Sequence, residues 1–201
     1  DGLAQLPAKV GQVASGLAVI NFLSSAGFLP IASFLTFYVA KTVFPPTATV
    51  DSTAVFIALA NAPQVLFLAF AAPYLARLGD RIGRLRPLAL SLIANLPVSL
   101  GLIFISELWH LAVFGLLFAV VGVVFSASFN SIVGDVYRTK RGFAYGGLNT
   151  AFSLGAAFGS ALGGFLFPIG WQTLVTVSVS IQAMALVGVL VVHRGLRSDA
   201  R

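Results

Sequence analysis

The chain has 201 residues, of which 58% are hydrophobic and only 9% are charged, and its mean hydropathy is +0.98. An ordinary water-facing domain carries about 25% charged residues, so a soluble globular domain and a disordered chain are both excluded. There is no Cys, which also excludes a disulfide scaffold and any thiolate metal site. Twelve Lys and Arg oppose six Asp and Glu, giving +6, and the positions of these charges decide what the excess means.

In chain order, residues 1–16 come first. Leu3, Leu6, Val10 and Val13 fall near one helical face, which reads either as a short interfacial helix or as the plain start of the first span. Six apolar segments come next: Leu17–Ala40, Thr53–Tyr74, Pro87–Ile105, His110–Val133, Phe143–Phe167 and Gln172–Val192. Each approaches the roughly 20 residues needed to cross hydrocarbon. None alternates with the period of a barrel strand. The first is no cleavable signal, since it is long, lacks a basic start and is succeeded by five more. Pro30, Pro63 and Pro97 sit inside spans one, two and three and invite kinks. No Pro- or Ser-rich linker divides the chain, so residues 1–201 are expected to form one all-α, polytopic domain of six transmembrane helices.

Orientation is set by Lys and Arg. Lys9, the Arg77–Arg86 loop, the Arg138–Arg141 loop and the Arg194–Arg201 tail place eleven basic residues on one side of a six-span chain, and only Lys41 falls on the other. Both termini are therefore expected in the cytoplasm, with the protein multi-pass in the plasma or inner cell membrane. The basic excess is a topology signal and not a nucleic-acid patch. On the opposite side Phe37, Tyr38, Phe44, Trp109 and Trp171 read as aromatic anchors at headgroup level.

No Asp, Glu, Lys, Arg or His lies in the central part of any span. Such charges usually mark proton relays and ion sites. What the spans hold instead is amides and hydroxyls. Asn21, Ser25, Asn61, Gln64 and Asn130 are candidate cavity residues, with Asn61 and Gln64 three apart on one helix face. The competing reading is interhelical hydrogen bonding. Enzymatic chemistry is not expected: His110 and His193 sit at span ends on opposite sides, far from any nucleophile at depth, and no ligand cluster suits a metal or another cofactor.

Two motifs carry more than composition. The loop after span two runs Leu78-Gly79-Asp80-Arg81-Ile82-Gly83-Arg84, a tight turn in which Gly83 supplies backbone freedom and Asp80 sits among guanidinium groups. In span five, Gly155, Gly159 and Gly163 recur every four residues, a spacing that lets two helix backbones approach closely.

Here the chain resembles the major facilitator superfamily. That family's loop signature, Gly-x-Leu-Ala-Asp-Arg-x-Gly-Arg-Lys, is matched at Leu78, Asp80, Arg81, Gly83 and Arg84, with Ala76, Gly79 and Leu85 at the other fixed positions. Its exporter and antiporter signature in the fifth helix is matched by Gly146, Gly155, Gly159, Gly163 and Gly164, with Ser160 where the family has Pro. The Gly134–Gly142 stretch and the Gly170-Trp171 pair are similar to it too. The family's Arg in helix four would fall at Phe118, ahead of Gly122.

The resemblance implies an amino-terminal six-helix bundle, half of a twelve-helix transporter that moves a small solute by alternating access, in the manner of an efflux exporter or antiporter. It implies that helices one, two, four and five line the path, while three and six face lipid. It implies a conformational latch at Asp80, Arg81, Gly83 and Arg84, with Asp135 as a second acid. The expected partners are the bilayer, the solute and a second six-helix half, whether a carboxy-terminal domain, a separate chain or a copy of this one. The alternative is a non-transporting scaffold subunit built on the same bundle.

Overall fold

The computed structural model describes residues 8–44, scattered helical positions between 55 and 74, residues 85–137 and residues 141–197. Five long helices fall in these stretches. They are α1 (Ala8–Thr42), α2 (Leu85–Gly101), α3 (Leu108–Val136), α4 (Arg141–Leu166) and α5 (Trp171–Arg197), with a 3-10 turn at Leu102–Phe104. Together with the helical residues at 65–67 and 69–71 they contain no strand, in agreement with the all-α, six-span bundle expected from the sequence. Residues 8–16 continue the helix of the first span, because α1 runs unbroken for 35 residues. At 1.5 Å per residue it is about 52 Å long, well beyond the roughly 30 Å hydrocarbon core.

Among the described residues, four helical segments are long and apolar enough to cross a membrane: Val13–Thr42, Leu85–Phe104, Leu108–Val136 and Trp171–Arg194. The Gly-rich α4 is not among these four, yet its 26 residues give about 39 Å of helix. Its position is secured by packing.

That packing centres on α1, whose most extensive contacts are with α4 on one side and α5 on the other. Glycine makes both seams. On α4, a Cβ at Gly155 would overlap the Phe22 carbonyl, and one at Gly159 would overlap the carbonyl of Ala26. A Cβ at Gly163 would lie 2.8 Å from the Phe34 ring and 3.1 Å from the Pro30 Cα. Toward α5, a Cβ at Gly27 would come 2.6 Å from the Ser178 carbonyl, and Gly16 and Gly188 are similarly closed against Val192 and Ile20. Lipid tails are as apolar as Leu, so association rests on close van der Waals contact rather than on water release. The α2 helix packs against α3 and α5 and closes the other side of the bundle.

Two apolar clusters fill the interior. One, including Leu17, Ile20, Leu88, Val133, Leu148 and Val192, lies toward the end that carries the Arg-rich loops. The other, including Ile31, Val39, Leu102, Leu174 and Val175, lies toward the opposite end. Local chemistry fixes the turns at that opposite end. Glu107 and His110 form a reciprocal cap at the start of α3, the His110 ring accepting the Glu107 amide at 3.2 Å. Gly170, at φ +152°, turns the chain from α4 into α5.

Trp109 is exposed, as an interfacial anchor should be, whereas Trp171 departs from that expectation. Its indole is buried, stacks on Tyr38 at 4.5 Å and donates Nε1–H to the Leu102 carbonyl at 2.9 Å. A buried indole needs such a partner, and the Leu102 carbonyl at the start of the 3-10 turn provides it, accepting the Ile105 amide as well at 3.5 Å.

The seam is testable. Gly159→Leu should destabilise the purified protein by more than about 3 kcal/mol in detergent denaturation, because backbone and not a yielding side chain blocks the new atoms. Gly146→Leu, where a Cβ meets nothing within 4 Å, should leave stability within about 0.5 kcal/mol. Equal losses in the two variants would remove the seam's special role.

Candidate substrate cavity

A polar layer separates the two apolar clusters, and a cavity of about 190 Å³ opens within it. The α1 helix contributes Asn21, Ser24, Ser25 and Phe28; α2 contributes Ser91, Leu92 and Asn95; α3 contributes Phe118, Val121, Gly122 and Phe125; α4 contributes Phe152. The third span therefore takes part in the wall, which the family resemblance did not imply. Among the described lining residues none is charged.

The local sequence explains how these groups are held. Asn21 and Ser25 are one turn apart on the face of α1 that meets α4. The glycine seam brings the two backbones close enough for side chain to reach backbone. Asn21 Nδ2 donates to the Leu148 carbonyl at 2.8 Å. The Ser25 hydroxyl donates between the carbonyls of Phe22 and Phe152, each at 2.9 Å. Ser91 Oγ donates back to Leu88, one turn earlier, at 2.8 Å. Asn95 Nδ2 donates to Gln182 Oε1 on α5 at 2.9 Å, and Ser99 Oγ joins the same acceptor at 3.1 Å. Bonds of this kind satisfy polar groups that would otherwise be costly away from water. Three atoms among the described residues are buried without a partner: Ser24 Oγ at the cavity, and Ser178 Oγ and Gln182 Nε2 behind it.

The remaining wall is aromatic. Phe28 and Phe118 meet edge to face at 5.7 Å, and Phe125 stacks along α3 on Phe129 at the same separation.

The structure thus brings together Asn21 and Ser25 of the candidate cavity residues. Asn130 stands apart, on an exposed face of α3. Its amide lies 3.3 Å from Ser126 Oγ, and its carbonyl accepts the Tyr145 hydroxyl at 3.2 Å. It is no part of this wall, since it lies more than a turn along α3 beyond Phe125, the last α3 residue that lines the cavity. Asn61 and Gln64 lie outside the described residues, as do Asp80, Arg81, Gly83 and Arg84. Asp135 is exposed in the last turn of α3. Just beyond it, burial pushes the Tyr137 phenol above its ordinary range. Of the span-five signature, Gly155, Gly159 and Gly163 face α1, whereas Gly146 and Gly164 face open space and Ser160 is half-buried. No cluster of three His or acidic residues suited to a metal occurs among the described residues.

Sequence reasoning missed Ser91 and the joining of Asn95 to Gln182. A Ser one turn after Leu in an apolar run carries no distinctive signal, and a pairing across 87 residues leaves no trace in local spacing.

With this geometry, the sequence pattern of the Major Facilitator Superfamily matches residues 14–200. The chain belongs to that superfamily. It is 32% identical over 145 residues to a protein named multidrug resistance protein MdtG from Proteus mirabilis, an alignment covering 72% of this chain and 35% of that one. It is 35% identical over 111 residues to the class B tetracycline resistance protein of Escherichia coli, covering 55% of this chain and 27% of that one. In fold it is similar to the crystal structure of a bacterial homolog of the human lysosomal transporter Spinster in an inward-facing, unoccupied conformation. The TM-score is 0.67 at 18% identity, over 94% of this chain and 43% of the other. The matched stretch is about a third of the first relative and about a quarter of the second. Membership makes this a multi-pass membrane protein of a transporter family and not an enzyme.

The polar layer makes a contrast in stability. Gln182→Ala removes the acceptor of both Asn95 and Ser99 and should lower the unfolding free energy by about 1–2 kcal/mol. Ser178→Ala deletes a hydroxyl with no partner and should be neutral within about 0.5 kcal/mol or slightly stabilising. Denaturant titration in micelles measures both, and the opposite order would mean that the layer does not hold the bundle.

Proposed function

We propose that this bundle is the amino-terminal half of a transporter that moves a small, uncharged or amphipathic solute by alternating access, acting as an exporter or antiporter. The observation that carries the reading is the cavity. It combines fixed polar groups with aromatic walls in the middle of a membrane bundle, the pattern of a small-molecule site. Alternating access rocks one bundle against another around a midplane site, so the partner is a second six-helix half. The resistance proteins it resembles support an outward direction of transport. The scale of the seam supports rigid-body motion: with α1 locked to α4 and α5, the half moves as one piece.

In this reading both termini are cytoplasmic, supported by the eleven-to-one division of basic residues. Asp80 is then part of a cytoplasmic latch, with Arg84 its basic neighbour and Asp135 a second acid. A carboxylate among guanidinium groups makes strong charge-assisted bonds, and a helix amino terminus across the interface would favour the same charge.

Two measurements test this. In proteoliposomes carrying the bundle with its second half, Asp80→Asn should insert normally, shift the balance toward inward-open and reduce transport about tenfold or more. Wild-type rates with an unchanged conformational balance would eliminate the latch. A Leu108→Cys variant of this Cys-free chain should react with impermeant maleimide only from outside the cell. Labelling only from the cytoplasm would invert the topology.

A further inference from the structure

Two cavities meet at one pair of rings. The midplane cavity of about 190 Å³ has a neighbour of about 390 Å³ in the same groove between α1 and α3, on the side of the Leu102 turn. Ile31, Leu35 and Thr36 line this outer cavity from α1, and Leu111, Phe114 and Gly115 line it from α3. Phe28 and Phe118 are the two residues that line both. Their edge-to-face contact at 5.7 Å therefore stands between the two spaces. Elsewhere α1 and α3 barely pack. Phe118 also has room. Gly115 and Gly122, about one turn before it and one turn after it on the same helix face, line the outer and the midplane cavity respectively. A Cβ at Gly122 would meet nothing within 4 Å. A helical Phe has two allowed χ1 wells, and neither glycine offers a side chain to hold the ring in one of them. What a solute meets in the midplane cavity is mainly carbon: Asn21, Ser25 and Ser91 are buried, while Leu92, Val121 and four Phe rings make most of the wall.

We infer that the Phe28–Phe118 pair is the size selector of this groove. With the rings in contact, the midplane cavity takes one neutral apolar ring system. With Phe118 swung aside, the two cavities join and take a neutral solute of several rings. Volume makes the distinction. A dry apolar cavity of about 150 Å³ holds benzene, so a space of about 190 Å³ suits a single small ring system. Pockets for drug-sized ligands run from about 300 to 1,000 Å³, and the midplane cavity enters that range only by joining its neighbour. One edge-to-face ring pair is weak enough to yield to a ligand that replaces it with more extensive apolar contact. The selector narrows the solute class within the transport reading and rests on that reading only for movement of the solute once bound.

The test uses two neutral probes, indole and the three-ring N-phenyl-1-naphthylamine. Binding to the bundle with its second half in nanodiscs is measured by equilibrium dialysis, with empty nanodiscs as the blank. The larger probe should displace indole, because it occupies the midplane cavity as well as the outer one. Phe118→Ala and, on the facing helix, Phe28→Ala should each shift the affinity ratio toward the larger probe about three- to tenfold, the worth of the ring pair that it no longer has to part. Phe114→Ala widens the outer cavity but leaves the partition, and should hold the ratio within about twofold. Retained indole binding shows that a variant is folded. An unmoved ratio in a Phe118 or Phe28 variant that retains it, an equal shift in Phe114→Ala, no competition between the probes, or no indole binding to the wild-type protein would each overturn the inference. Uptake into proteoliposomes separates it from the transport reading. The ratio shift without uptake of either probe supports the selector and defeats the transporter; uptake of other solutes with an unmoved ratio does the reverse.

Discussion

Everything in this bundle depends on how closely α1 approaches its two neighbours. A helix pair at ordinary separation touches through side chains, and its backbones are out of reach of each other's polar groups. Here glycine removes the intervening atoms on both flanks: Gly155, Gly159 and Gly163 on α4, and Gly16, Gly27 and Gly188 along α5. The gain is twofold. Dispersion contacts accumulate where no hydrophobic driving force operates between helices. Side chains as short as Ser25 and Asn21 can also reach a neighbouring backbone carbonyl. Two of the cavity's polar residues, Asn21 and Ser25, owe their orientation to this approach.

The middle layer resolves a conflict between two demands. A path for a solute needs polar groups at depth, but each unsatisfied polar group in a lipid environment is expensive. Amides and hydroxyls bonded to backbone or to Gln182 meet the second demand, because their donors are satisfied inside the bundle. Phe118 fits this logic. At the position where the family carries Arg, a ring closes the wall against Phe28, and among the described lining residues no charge needs compensation.

Much of this was legible in the sequence because the bilayer restricts the alternatives so severely. Length and apolarity fixed the spans, basic loops suggested the topology, and the four-residue glycine repeat announced a close helix contact. The same signals fall short where outcome depends on which face a helix turns to which neighbour. Asn21 and Asn130 look alike in composition, yet one faces α4 across a tight seam and the other stands on an exposed face. Trp171 read as an anchor because Trp at a span end usually is one; its burial is matched by a bond to the Leu102 carbonyl, in a 3-10 turn 69 residues earlier. Gln182 could be marked as polar, but its partners on α2 come from tertiary packing alone.

The glycine seam also sets how this half responds to temperature. Hydrophobic burial carries a large heat-capacity signature and weakens on cooling, since it arises from the hydration of apolar surface. Contacts between α1, α4 and α5 exchange protein atoms for lipid tails and not for water. Their strength is largely enthalpic, with little heat-capacity change on separation. The seam should therefore hold its stiffness in the cold, where a water-driven interface of equal area would loosen.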